Sequence, residues 1–194
     1  MSRPEDTPGI TEVPRLFTYH IFGTPSELRA WCSDVSSYAL KVHGLVREPG
    51  SYSLHDLRSG FEPVTLEAVL QCMTNIHWGR VRMRGARALD VLLDAGLEDS
   101  ATKVGLRGAE GFTTDWFLEE VRKNPDLFLL VYEINGQPLT PEHGYPVRSA
   151  AKGKYGFKWC KWLTEMEAVD YDYKGHYEGR RGWSDLGIRG RPVQ

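Results

Sequence analysis

"YEINGQPLTPEHGYPVRSAAKGKYGFKWCKWL", residues 132 to 163, decides how the rest of the chain is read. It starts inside "LFLLVYEI" (127 to 134), a continuous apolar run of strand length, and passes into Asn135-Gly136, a strong turn signal. His143 follows in a loop, just before a glycine and five residues ahead of Arg148. Loop placement favours function over core packing. The stretch then turns basic and aromatic together, with Lys158 and Lys161 set among Tyr155, Phe157, Trp159 and Trp162. Cations interleaved with aromatic rings can grip a phosphate beside a flat heterocycle. The same pattern also describes an exposed strand face whose lysines reach into water.

Working outward, "YALKVHGLV" (38 to 46) alternates like a strand, and "SLHDLRSG" (53 to 60) reads as a short helix capped by Ser53. "PVTLEAVLQC" (63 to 72) is a further strand, and "GARALDVLLDAG" (85 to 96) a helix that stops at Gly96. "GKYGFKWCKWLTEMEAV" (153 to 169) is strand-like. Many short strands with a few short helices, and no regular βαβ series or internal repeat, predict an α+β fold of short mixed strands. Residues 1 to 15, rich in proline and charge, are expected to form an extended arm, and residues 16 to 194 a single domain. At 194 residues and 41% apolar composition, the chain can bury a core without staples.

The net charge of −2 gives no global reason to expect nucleic acid or a membrane surface as partner, and no run approaches the length of a membrane span. Charge is nonetheless clustered, at Arg80, Arg82, Arg84 and Arg87 and again at Lys152, Lys154, Lys158 and Lys161. Cys32, Cys72 and Cys160 form no CxxC pair, which argues against a zinc knuckle, a thioredoxin-type site or a disulfide framework. With no apolar leader at its start, the chain is expected to be cytoplasmic, unless an export signal has been removed. Cys72 has three readings: a core filler, a nucleophile with His77 as base, or a single thiolate ligand to a metal whose other ligands come from a cofactor. No HxxxH or HExxH spacing supports an all-protein metal cage, and neither GxxxxGK[ST] nor GxGxxG occurs.

Taken in order, these pieces resemble the molybdopterin-binding domain of the sulfite oxidase family, which includes sulfite oxidases and dehydrogenases, plant-type nitrate reductases and the catalytic subunit of periplasmic methionine sulfoxide reductase. The likeness runs from about residue 16 to residue 184. "FTYHIFGTP" (17 to 25) is similar to an aromatic-rich stretch with a histidine at His20, and "VTLEAVLQCMTN" (64 to 75) to the family's Cys-x-x-Asn stretch. "RMRGARALDVLLDAG" (82 to 96) matches a further segment, and the quoted 132 to 163 carries NG-x-PL, HG-x-P-x-R, YG-x-K and KWL in family order.

The resemblance implies an oxidoreductase that performs two-electron oxygen-atom transfer with a molybdenum-molybdopterin cofactor. Cys72 would ligate the molybdenum, His20, His143 and Arg148 would serve the pterin, Lys158 with Lys161 its phosphate, and Asn75 would help fix the cofactor-binding loop near the metal. His77 and Trp183 stand where the family has an arginine and an active-site tyrosine, and are the expected catalytic residues beside Cys72; Thr18 replaces a second arginine, and Tyr177 or Tyr173 offers another hydroxyl. Losing two guanidinium groups weakens capture of a small dianion such as sulfite. Sulfite-type oxidation of a small sulfur-containing substrate is the first expectation from the resemblance, with S- or N-oxide reduction, which those replacements favour, or a non-catalytic pterin-binding module as alternatives. The chain has no haem-binding CxxCH, so electrons are expected to pass through a separate cytochrome or a quinone-linked membrane subunit.

Overall fold

The computed structural model describes residues 9–74 and 76–194; residues 1–8 of the expected arm and Asn75 lie outside the described residues. In chain order the elements are α1 (Leu28–Ser33), β1 (Leu40–Gly44), β2 (Gly50–Tyr52), α2 (Leu54–Ser59), β3 (Val64–Gln71), β4 (Trp78–Arg87) and α3 (Ala88–Asp94). There follow β5 (Lys103–Gly108), β6 (Thr113–Phe117), α4 (Leu118–Lys123), β7 (Phe128–Ile134), β8 (Gln137–Pro138), β9 (Arg148–Ala151), β10 (Leu163–Val169) and α5 (His176–Arg181). They form two five-stranded sheets, one ordered β2-β1-β10-β5-β6 and the other β3-β4-β7-β8 with β9 also paired to β7. The β1–β10 pair is parallel and its neighbours antiparallel, so the strands are short and mixed, as the α+β reading expects.

Local sequence explains most of these elements. Ser53 and Asp56 form a reciprocal capping box at the start of α2. Leu129, Leu130 and Val131 of β7 have no exposed surface, the reason its apolar run does not alternate. Asn135 and Gly136 both take left-handed backbone, the geometry of a tight hairpin turn. In β4, Val81 and Met83 are buried while the exposed Arg82 and Arg84 pair with Glu67 and Glu133 on the outer face.

Two boundaries differ from the sequence reading. The helix expected over 85 to 96 begins at Ala88, because Gly85–Arg87 continue β4 in register with β7. The strand expected over 153 to 169 begins only at Leu163; Gly156–Lys158 is a 3-10 turn, and Phe157 and Lys158 are buried, so the exposed-face reading fails. Part of the arm also joins the domain. Thr11 exchanges hydrogen bonds with Arg80, its carbonyl accepts from Asn135 Nδ2, and Val13 and Leu16 are buried.

A buried charge cluster ties the first sheet to the C-terminal segment. Lys158, fully buried, places Nζ 2.9 Å from Asp115 of β6 and 2.6 Å from Glu178 of α5. Thr114 donates to the same Glu178 oxygen. Lys103 of β5 reaches Asp115 at 3.1 Å and, further out, Asp172 and Asp185. Charges removed from water are costly unless every one is paired, so deleting one member leaves the others unbalanced. Lys158→Met is expected to lower stability by about 3–5 kcal/mol in urea unfolding; a loss under about 1 kcal/mol would show that the cluster does not hold α5 in place.

Candidate functional site

A cavity opens among loops and turns of both sheets. Its wall comes from seven places: the loop around Phe17–Ile21, the end of β3 with the β3–β4 tip, the β5–β6 turn, the turn carrying His143, Arg148 at the start of β9, the Gly156–Lys161 segment, and α5 with Trp183. Each is positioned by an ordinary structural cause. Cys72 lies just past the last β3 pair, where its N–H donates to His77 O and closes the hairpin tip. Gly144 has φ 100°, and a Cβ there would fall 3.0 Å from Lys161 Cβ and 3.1 Å from Arg148 Cβ, so a glycine lets those two cations converge. Trp162 is fully buried with φ 47°, uncommon for a bulky residue; its indole donates to Pro141 O. This bend marks the passage from the Lys161 wall into β10.

Two groups of side chains result. The first is polar and largely buried: His143, Arg148, Lys161 and Glu110. Arg148 is nearly inaccessible, donates to His143 O at 3.2 Å, and lies 5.8 Å over the Trp159 ring. Burial lowers its pKa to about 10. His143 pairs Nδ1 with the Thr140 hydroxyl at 2.8 Å; burial first, then the charges of Arg148 and Lys161, lowers it to about 4, so the ring is neutral. Lys161 is pushed down to about 7 by burial and by Arg148, and its Nζ also lies 4.3 Å over the Trp162 ring. Burial raises Glu110 to about 7. The second group is Cys72, Thr18, Tyr19, Tyr177 and Trp183. Burial, then Tyr19 and Cys72, raises the pKa of Tyr177 and keeps its hydroxyl protonated.

Of the residues expected from sequence, Cys72, His143, Arg148, Lys161 and Trp183 therefore share one cavity. His20 sits behind the wall, with Nε2 3.2 Å from Glu142 O and its ring edge-on to Trp162. Lys158 and His77 are placed elsewhere. Lys158 is committed to Asp115 and Glu178, so the expected phosphate contact does not fit its geometry. His77 is exposed at the hairpin tip, packed on Phe17 at 5.8 Å, outside the cavity lining. Asn75 lies outside the described residues. Glu110 is the residue that sequence reasoning missed; Gly108 and Gly111 around it were a turn signal, and the turn aims it at the cavity.

This lining fits a ligand with an anionic tail, a polar ring and a sulfur-seeking metal. Arg148 and Lys161 supply positive charge, and His143 Nε2 and Glu110 Oε2 are buried without hydrogen-bond partners among the described residues. Cys72 is a free, half-buried thiol, and no cluster of three or more His, Cys, Asp or Glu that could hold a metal occurs among the described residues. A single protein thiolate completing a cofactor's own ligands suits that donor set.

Comparison with known proteins agrees. A family model described as "Oxidoreductase molybdopterin binding domain" matches residues 28–177. The chain is 34% identical over 163 residues to "Uncharacterized oxidoreductase YuiH" of Bacillus subtilis, covering 83% of this chain and 78% of that protein. It is 30% identical over 183 residues to a nitrate reductase of Oryza sativa, covering 76% of this chain but 20% of that protein. To the sulfite oxidase of Arabidopsis thaliana it is 27% identical over 176 residues, 74% of this chain and 44% of that protein. In fold it is similar to the sulfane dehydrogenase SoxCD from Paracoccus pantotrophus, with a TM-score of 0.76 and 23% identity over 90% of this chain and 47% of that one.

Glu110 gives this site a pH signature. Its pKa is raised above the unfolded value of 4.5, so the folded chain holds the proton more tightly. The stability it contributes is full below about pH 4.5 and is lost as pH rises through about 7. Urea unfolding of cofactor-free protein should show native stability falling relative to Glu110→Gln across that window; a flat difference would contradict the burial of this carboxyl.

Proposed function

This chain belongs to the oxidoreductase molybdopterin-binding domain family, as a molybdopterin-dependent enzyme of the sulfite oxidase family, and from that premise we propose that it transfers an oxygen atom to or from a small sulfur-containing substrate, with sulfite-type oxidation as the first reading. The observation that carries this is the convergence of Cys72 with His143, Arg148 and Lys161 in one cavity. When bound, the molybdenum cofactor supplies the two-electron chemistry that no side chain offers. Cys72 donates the protein's thiolate to the metal. Arg148 and Lys161 hold the cofactor's anionic end, and neutral His143, with Glu110, meets the polar ring edge.

One observation favours the second reading, reduction of an S- or N-oxide. The described lining of the cavity that Cys72 enters holds a single guanidinium, that of Arg148, beside Thr18, Tyr19, Met73, Tyr177 and Trp183. A neutral oxide needs only a hydrogen-bond donor there, whereas a sulfite dianion gains most from paired arginines. The two electrons pass to or from a separate cytochrome or quinone-linked membrane subunit. No described helix is long and apolar enough to cross a membrane, and the three free cysteines agree with a cytoplasmic setting.

Cys72→Ala tests the proposal. Protein made in a cofactor-competent host should contain molybdenum and turn over sulfite or dimethyl sulfoxide, and the variant should lose that turnover while keeping its fold by circular dichroism. Retained turnover in the variant would sink the assignment of the ligand.

A further inference from the structure

Single apolar side chains left in water are ordinary, but several together mark a surface that something covers. Among the described residues seven large apolar side chains are exposed, and four of them, Tyr19, Ile21, Phe22 and Ile76, belong to two neighbouring segments at the mouth of the cavity. Tyr19 and Ile21 line the cavity, as does Met73 of the β3–β4 tip. Phe17 packs on His77, which brings Ile76 of that tip beside the Phe17–Ile21 loop. Tyr19 is 67% exposed and Ile76 62%. Phe22, 43% exposed, and Ile76 do not line the cavity, so a ligand inside it leaves both uncovered.

The charge beside these residues is positive. The Phe22 ring meets His176 of α5 edge-on, with centroids 4.9 Å apart. Burial, then the charges of Arg180 and Arg181, lowers the pKa of His176, so both guanidinium groups act on the same spot. Both arginines are exposed in the last turn of α5 and form no ion pair with any described residue. Arg58, Arg82, Arg84 and Arg87, by contrast, each reach a carboxylate. Of the acids that line the cavity, Glu110 is largely buried, and Glu142 interacts with Thr140, His143 and His20. The rim is thus apolar and cationic, although the chain as a whole carries a net charge of −2.

We propose that this rim seats on an anionic lipid surface, with Tyr19, Phe22 and Ile76 entering the interfacial zone and Arg180 and Arg181 meeting phosphate headgroups, so that the cavity opens toward the bilayer. Aromatic and aliphatic tips flanked by arginine are the groups that gain most at the boundary between water and acyl chains, and anionic headgroups add attraction for each cation. A protein partner needs a close-packed, matched surface, whereas tips on two loops can each enter a fluid interface by themselves. The contact is weak and reversible, since a few partly exposed side chains and two charges supply it. It goes beyond the oxygen-transfer reading and does not depend on it, because binding is measured without turnover.

The test is co-sedimentation of the full chain, made in a cofactor-competent host, with vesicles of phosphatidylcholine alone and of phosphatidylcholine mixed with phosphatidylglycerol. Wild type should bind the mixed vesicles, bind the neutral ones much less, and be released by high salt. Phe22→Ser and Ile76→Ser should each weaken binding about tenfold, and Arg180→Gln combined with Arg181→Gln by about tenfold or more. Leu93→Ser removes a side chain that is 55% exposed on α3, outside this rim, and should leave binding unchanged. Circular dichroism and the thermal midpoint check each variant; if Phe22→Ser loses its fold, Ile76→Ser on the other segment decides. Absence of binding by wild type would overturn the proposal, as would equal binding to neutral vesicles or an equal loss in Leu93→Ser. Where wild type binds no vesicle, sedimentation velocity names the other occupant. A dimer that Phe22→Ser dissolves would assign the rim to a second copy, and a monomer would leave it to a protein partner; either result contradicts a lipid surface.

Discussion

Lys158, a cation with no solvent exposure held between Asp115 and Glu178, is the constraint on which the site's shape depends. It joins a strand of the first sheet, a 3-10 turn and the last helix, and the turn and the helix both line the cavity. Such a cluster is poor evidence of net stability, because desolvation offsets much of the Coulomb attraction. What it supplies is position: every other arrangement of these segments strands a buried charge. Asp115 is shared with Lys103, which reaches Asp172 and Asp185, so the C-terminal segment is clasped on both sides of α5. The rings of Tyr177 and Trp183 sit where they do because of that clasp.

From this frame the cavity divides by chemistry. His143, Arg148, Lys161 and Glu110 form a buried polar group whose ionisation is strongly perturbed, the mark of groups arranged for a ligand rather than for one another. Thr18, Tyr19, Tyr177 and Trp183 line the same cavity with Cys72. If the first set holds the cofactor and the second meets the substrate, as proposed, the two can vary separately. The relatives fit that separation: the chain spans most of YuiH but a fifth of a nitrate reductase and under half of a sulfite oxidase, so a common domain serves proteins with different named substrates.

Much of this was legible in the sequence. The apolar run at Phe128–Ile134, the Asn135-Gly136 turn and the capped α2 follow from local patterns, and the motifs over 132 to 163 identify the cofactor. Lys158 and Lys161 show where such reading stops. Three residues apart among aromatics, they look alike, yet one is sealed in an ion cluster and the other faces the cavity. What separates them is a 3-10 turn and a tryptophan in left-handed backbone, and no periodicity encodes either. His77 is hard to place for a related reason, since a position five residues after Cys72 does not say which way a tight hairpin tip turns it, and there it is exposed. Glu110 was missed because a lone acid in a glycine turn looks like any solvated loop.

Sulfur coordination of the bound metal, read by molybdenum X-ray absorption on wild type and Cys72→Ser, tests the central claim most directly. If Cys72 is the protein's ligand, the wild-type sulfur shell should lose one sulfur in the variant and gain a lighter neighbour. An unchanged sulfur shell, or no molybdenum in wild type produced with the cofactor available, would contradict the account.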